Sequence, residues 1–148
     1  MIRPFSPLDL ESILQIESRS FPKSPYDWMT FLNLHTLYPE TFLVYLGTQH
    51  GQKGEKILGY IVFSQDGHIL SIAVDPHRRR KGIGSELLQG ALKISPFKKV
   101  WAEVRRGNQG AQAFYSKMGF QMTGWVPNYY GNEDALIVQW TPAASESC

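Results

Sequence analysis

Apolar residues fall along this chain in two rhythms. Short β-branched or aromatic runs alternate with longer stretches that carry one apolar face, a pattern that predicts a mixed α/β fold. Met1 to Pro4 reads as a short strand. Ser6-Pro7-Leu8-Asp9 then supplies a capping serine, a proline at the first helical position and a first-turn acid, and Leu10, Ile13, Leu14 and Glu17 continue at helical spacing. Ser24-Pro25-Tyr26-Asp27 repeats the device. It predicts a second helix carrying Phe31, Leu32 and Leu34, stopped by Pro39 and joined to the first through Phe21-Pro22-Lys23. Thr41 to Leu46 and Ile57 to Phe63 predict a hairpin around a polar connection from Gly47 to Lys56. The Asp66-Gly67 turn leads into a third strand, Ile69 to Val74, ended by Asp75-Pro76.

Beyond a basic run, Ile83, Leu87, Leu88, Ala91 and Leu92 form one helical face, which Ser95-Pro96 closes. Val100 to Val104 predicts a strand. Asn108 is placed to cap a helix with Ala111, Phe114, Tyr115 and Met118 on one stripe and Gly119 at its C-terminal end. Phe120 to Val126 and Ala135 to Trp140 are closing strands around the polar and aromatic loop Pro127 to Asp134. No internal repeat is present. The chain is expected to form one domain over residues 1–141, with a frayed tail at 142–148.

Length and composition agree with that reading. At 148 residues and 43% hydrophobic content, one well-buried core is expected and two ordinary domains are not. The formal net charge of +2 makes the basic run a local feature and argues against a general binder of nucleic acid or membrane surface. Cys148 is the single cysteine, which leaves no intramolecular disulfide and no thiolate metal site. His35, His50, His68 and His77 show no ligand spacing, so no metal is expected. No apolar stretch approaches the ~20 residues of a membrane helix, and a soluble, cytoplasmic protein is expected.

The candidate chemistry begins at Arg78-Arg79-Arg80-Lys81-Gly82-Ile83-Gly84. A strand, a basic glycine-bearing turn and a helix start gather backbone N–H groups and the positive helix end around one volume suited to a phosphorylated ligand. The P-loop pattern fails because Gly84 is followed by Ser85 and Glu86, with no lysine. The dinucleotide fingerprint fails because Leu87 stands where its third glycine belongs. What remains is R-x-x-G-x-G, led by Arg79; on its own it is equally readable as a solvated loop before a helix.

Ile72-Ala73-Val74-Asp75-Pro76 followed by Arg79 to Gly84 resembles the acetyl-coenzyme A (acetyl-CoA) motif of the GCN5-related N-acetyltransferase (GNAT) superfamily. The resemblance continues through Glu103-Val104-Arg105, Asn108-x-x-Ala111-x-x-Phe114-Tyr115, Gly119-Phe120, Asn128-Tyr129-Tyr130 and Glu133-Asp134-Ala135. It is nearest to the branch of ribosomal-protein alanine and archaeal N-terminal acetyltransferases. It implies the acyl-CoA N-acyltransferase fold, a central, mostly antiparallel sheet of the seven strand segments above with about four helices on its two faces. It also implies direct acetyl transfer from acetyl-CoA to an amine, foremost the N-terminal α-amine of a protein or peptide, a ribosomal protein among the candidates. A small amine, a polyamine, a lysine side chain, or a non-catalytic acyl-CoA binding module are the alternatives. No membrane or direct nucleic-acid partner is implied, and a monomer or weak dimer is expected.

Residue roles follow from the same resemblance. Ile72, Ala73 and Val74 are expected along the pantetheine arm, with the Val74 N–H as candidate donor to the thioester carbonyl. Arg79, Arg80, Lys81, Gly82, Ile83, Gly84 and Ser85 are expected at the pyrophosphate, and Asn108 and Tyr115 also against CoA. Glu103 is the expected base and Tyr115 the expected acid. From the residues alone, Glu103 reads as a solvated or arginine-paired strand residue, and Tyr115 as a core aromatic with its hydroxyl reaching out. Phe21, Tyr26, Tyr129, Tyr130 and Asp134 are expected to hold the acceptor, although Tyr129 and Tyr130 also read as loop packing.

Overall fold

The computed structural model describes residues 1–48, 54–78, 82–94 and 97–142. Among them are strand β1 (Ile2–Pro4), a 3-10 turn at Pro7–Asp9, helices α1 (Leu10–Ser20) and α2 (Trp28–Leu37), and strands β2 (Phe42–Thr48), β3 (Glu55–Phe63) and β4 (Ile69–Val74). Helix α3 (Ile83–Ile94), strand β5 (Val100–Arg105), helix α4 (Gln109–Lys117) and strands β6 (Gln121–Val126) and β7 (Ala135–Trp140) follow. The mixed α/β order is the expected one. Contacts divide the chain into two units, Met1–Gln65 with Leu70–Pro96, and Asp66–Ile69 with Phe97–Cys148.

The seven strands fall into sheets of four and three. The first unit holds the order β1-β2-β3-β4, with β2 antiparallel to both β1 and β3. The two-residue period of a strand sends Phe42, Val44, Tyr60 and Val62 to one face, where they form a core with Ile13 and Ile16 of α1 and Phe31 of α2. Leu43, Ile61 and Phe63 take the other face and are equally buried. Helix α3 packs against β2 and β3, and the Tyr45 hydroxyl donates to its Glu86. Helices therefore cover both faces, and β3 reads as an almost continuous apolar run. Each fully buried aliphatic or aromatic side chain contributes about 1.5–3 kcal/mol, so this double layer dominates the unit's stability.

Two boundaries differ from expectation. The cap of helix α2 lies three residues after the predicted Ser24, at Asp27, whose Oδ1 accepts the Thr30 N–H at 2.9 Å. The Gly47 to Lys56 connection is shorter than expected because β2 continues to Thr48 and β3 begins at Glu55; residues 49–53 lie outside the described set.

In the second unit β7 is the middle strand, antiparallel to β5 and β6. Asp66–Ile69 belongs to this unit. The Gly67 carbonyl accepts the Trp101 N–H at 3.1 Å, and His68 pairs with Trp101 in a parallel bridge. Gly67 has φ +95°, and a Cβ there would lie 2.1 Å from the Lys99 carbonyl oxygen. Only glycine fits this approach. No described helix is long and apolar enough to cross a membrane.

Candidate active site

In the first unit the expected cofactor residues form a strand end and a helix start. Ala73 is buried on β4, with Ile72 and Val74 half-buried beside it. β4 is an outer strand of its sheet, the position where an extended arm adds as a further strand. Gly82 has φ +80° and turns the chain into α3. The first intrahelical bond runs from the Glu86 N–H to the Gly82 carbonyl at 3.0 Å. The N–H groups of Ile83, Gly84 and Ser85 precede it and have no helical carbonyl to bond, which is the geometry that receives phosphate oxygens. Arg79, Arg80 and Lys81 lie outside the described residues.

The second unit holds the expected acid and base. On β5, Ala102 and Val104 are buried, so the alternation turns Glu103 to the opposite face, where its side chain is 19% exposed. Its Oε2 lies 2.7 Å from His68 Nε2. The His68 ring in turn stacks on Trp101, at 5.2 Å between centroids and 2° between planes. Glu103 is thus neither simply solvated nor paired with an arginine; it is held by a histidine 35 positions earlier in the chain. Sequence reasoning missed His68 because its relation to Glu103 comes from the bridge to Trp101, not from local spacing. The one local signal was the Asp66-Gly67 turn that delivers it.

Tyr115 is 5% exposed and packs against Phe120 at 5.1 Å and Phe114 at 5.2 Å. Burial, then the charge of Glu103 and the neighbouring Tyr130 phenol, pushes its hydroxyl well above the usual phenol range. Tyr129 and Tyr130 shift upward as well, by burial first and then by Glu103. Three phenols therefore lie in the field of one carboxylate. Asn108 caps α4, its Oδ1 accepting the Ala111 N–H at 3.0 Å.

The expected acceptor residues lie on two connections. In the first unit, Phe21 and Tyr26 are partly exposed on the link between α1 and α2. In the second, Tyr129 and Tyr130 meet edge to face at 4.9 Å in the β6–β7 loop, with the Arg105 guanidinium 4.1 Å from the Tyr130 ring centroid. The Asp134 carboxylate closes this loop. It accepts the Asn128 N–H at 2.9 Å and pairs with Arg106 at 3.1 Å, while Asn128 takes φ +54°. Glu133 binds the Gly107 N–H at 2.7 Å and Arg105 at 3.2 Å.

A family model described as acetyltransferase (GNAT) family matches residues 10–120. The chain is 34% identical over 146 residues to an uncharacterized N-acetyltransferase of Methanocaldococcus jannaschii, covering 93% of this chain and 89% of the relative. It is 31% identical over 137 residues to the ribosomal protein bS18-alanine N-acetyltransferase of Escherichia coli, covering 88% and 89%. The crystal structure of Ard1 from Thermoplasma volcanium superposes with a TM-score of 0.83 at 36% identity, covering 95% of this chain and 96% of that one. With the matched domain, these identities and the shared fold, the chain belongs to the acetyltransferase (GNAT) family and is an acetyl-CoA-dependent N-acetyltransferase.

Proposed function

We propose that the acceptor is the N-terminal α-amine of a protein or peptide in the cytoplasm, and that transfer is direct, with no acetyl-enzyme. The observation that carries this reading is the Glu103 carboxylate held by His68 in the field of three tyrosine phenols. An α-amine titrates near ~7.7–8.0 against ~10.4 for lysine, so a carboxylate working through water has a far smaller task with an N-terminus. The E. coli relative, named for an alanine of a ribosomal protein, supports the same acceptor class.

In this reading Glu103, working through water and kept aimed by His68, takes one proton from the α-ammonium and leaves a neutral amine. The amine nitrogen bonds to the acetyl carbon, the C–S bond breaks, Tyr115 gives its proton to the leaving thiolate, and the second proton lost by the nitrogen restores the phenol through solvent. The products are an acetamide and CoA thiol. The N–H groups of Ile83, Gly84 and Ser85 bind the pyrophosphate, with Arg79, Arg80 or Lys81 screening its outer charge, and Ile72, Ala73 and Val74 line the pantetheine arm. Asn108 contacts CoA from its capping position. Phe21, Tyr26, Tyr129 and Tyr130 supply aromatic walls for the first residues of the acceptor, and Asp134 fixes the loop that carries two of them.

The test is a peptide panel varied in its first two residues, in lysine-blocked and N-blocked forms, incubated with acetyl-CoA. Acetylation is expected on lysine-blocked peptides and absent from N-blocked ones; transfer to N-blocked peptides would overturn the acceptor assignment. Glu103→Gln and Tyr115→Phe should each lower kcat by about 10²–10⁴-fold, with acetyl-CoA affinity nearly unchanged. Because the Tyr115 pKa is raised, its phenol stays protonated throughout neutral and mildly alkaline pH. The kcat profile should therefore show no alkaline fall attributable to Tyr115 below about pH 10.

A further inference from the structure

Glu17 has no part in the chemistry above, yet it is a carboxylate with 2% exposure in the middle of an apolar core. No ion pair reaches it among the described residues. Its charge is met instead by hydrogen bonds, the usual condition for burying one. The Tyr60 hydroxyl, itself fully buried on β3, donates to Glu17 Oε1. That hydroxyl has a single proton, so the Ser71 hydroxyl on β4, 2.9 Å away, donates to Tyr60. The other carboxylate oxygen, Oε2, accepts the Tyr26 backbone N–H at 2.9 Å.

This last bond lies on the link. After α1 ends with the Phe21 N–H on the Glu17 carbonyl, the chain passes through Phe21 to Tyr26 with partly exposed aromatic rings. The Tyr26 N–H goes to Glu17 where the Ser24-Pro25 device predicts a helical turn, and α2 is delayed to the Asp27 cap. The Tyr26 ring meets the buried Phe31 edge on at 5.8 Å, and its hydroxyl reaches the Leu70 carbonyl of β4 at 3.4 Å. One buried acid thus decides the path of an exposed aromatic segment and ties it to the strand that carries Ile72 to Val74.

We propose that Glu17 is a positioning residue for acceptor selection: with Tyr60 and Ser71 it fixes the α1–α2 link in the shape that receives the first residues of the acceptor. This rests on the reading that Phe21 and Tyr26 meet the acceptor. Glu17 touches neither substrate, so its loss acts through the link.

The test uses the full chain with acetyl-CoA and the best free-N-terminus peptide of the panel, each varied in turn, for wild type, Glu17→Ala, Glu17→Gln and Tyr60→Phe. Glu17→Ala is expected to raise the acceptor KM about tenfold, with the acetyl-CoA KM within twofold and kcat within threefold. Glu17→Gln keeps an oxygen for the Tyr26 N–H and should recover most of the loss. Tyr60→Phe leaves that bond in place and loosens its anchor, so it should fall between the two and serves if Glu17→Ala does not fold. Amide exchange at Tyr26 should quicken in the same order. Unchanged acceptor KM in folded variants, or both KM values and kcat moving together, would overturn the proposal. If the wild type acetylates no peptide N-terminus, the acceptor reading fails; the exchange experiment needs no acceptor, and unchanged Tyr26 protection in Glu17→Ala then overturns the clamp separately.

Discussion

The link between α1 and α2 and the loop between β6 and β7 both expose aromatic rings, and each is held by a carboxylate accepting a backbone N–H at 2.9 Å, Glu17 from Tyr26 and Asp134 from Asn128. Their surroundings differ. Glu17 is 2% exposed and, among the described residues, answered by neutral hydrogen bonds, whereas the loop carboxylates pair with Arg105 and Arg106, which are 49% and 70% exposed. Hydrogen bonds to a charged group contribute about 1.5–3 kcal/mol where solvent is excluded, and exposed ion pairs about 0.2–1 kcal/mol. The first segment is therefore built as part of a core, the second as an adjustable surface. A segment fixed by buried bonds keeps one shape, whereas one held by exposed pairs can adjust its own.

The harshest way to break the comparison is to remove both carboxylates in turn. Glu17→Ala should cost about 2–4 kcal/mol of unfolding free energy in a denaturant titration, since it leaves the Tyr60 hydroxyl and the Tyr26 N–H without their acceptor in a dry site. Asp134→Ala, which removes only solvent-exposed bonds, should leave the unfolding midpoint nearly unchanged. Equal costs would mean that the two segments are fastened alike.

Gly67→Ala probes a third fastening, the one that delivers His68. The new Cβ would meet the Lys99 carbonyl at 2.1 Å from a backbone already at φ +95°, so the segment must shift away from β5 and carry His68 off Glu103. The variant should lose about tenfold in kcat, approaching the loss in His68→Ala. A variant with normal kcat would separate His68 from the base.

The fate of these three fastenings marks what the sequence made legible. Elements came through because periodicity and capping are local: β4, β7 and the Asn108 cap lie where the pattern put them. The roles expected of Glu103 and Tyr115 come from the resemblance alone, and strand alternation gives the direction of the Glu103 side chain. Hidden from the sequence were the carboxylate bonds that join distant segments, Glu17 to Tyr60, Glu103 to His68 and Asp134 to Asn128. Glu17 sits at a helical position that reads as an ordinary continuation of the α1 face, and nothing near it announces a partner 43 residues later. The late start of α2 has the same origin, a local Ser-Pro signal overridden by a long-range acceptor.

A gentler test alters the solvent alone. Raising salt from 0.05 to 1 M shrinks the Debye length from more than 10 Å to about 3 Å, which weakens the Arg105 and Arg106 pairs and leaves a buried carboxylate nearly untouched. Exchange of the Asn128 amide should quicken by up to about fivefold, and that of Tyr26 should stay constant. If both respond, the link is open to solvent in solution.

The smallest expected effect asks which of its two bonds holds Asp134. The Asn128 N–H is the larger cause of its depressed pKa and Arg106 a lesser one, with partial desolvation opposing both. A depressed carboxylate pKa means a contribution that is complete above the ordinary aspartate range and disappears as pH falls through the folded value, so this loop loosens only below about pH 3.9. Arg106→Gln should raise the Asp134 pKa slightly and leave it below the ordinary range, read by NMR titration of the carboxyl carbon. Full return to the ordinary value would assign the fastening to the arginine. Retention of the depressed value gives both segments the same device, a backbone N–H on a carboxylate, with solvent exposure alone making one rigid and the other adjustable.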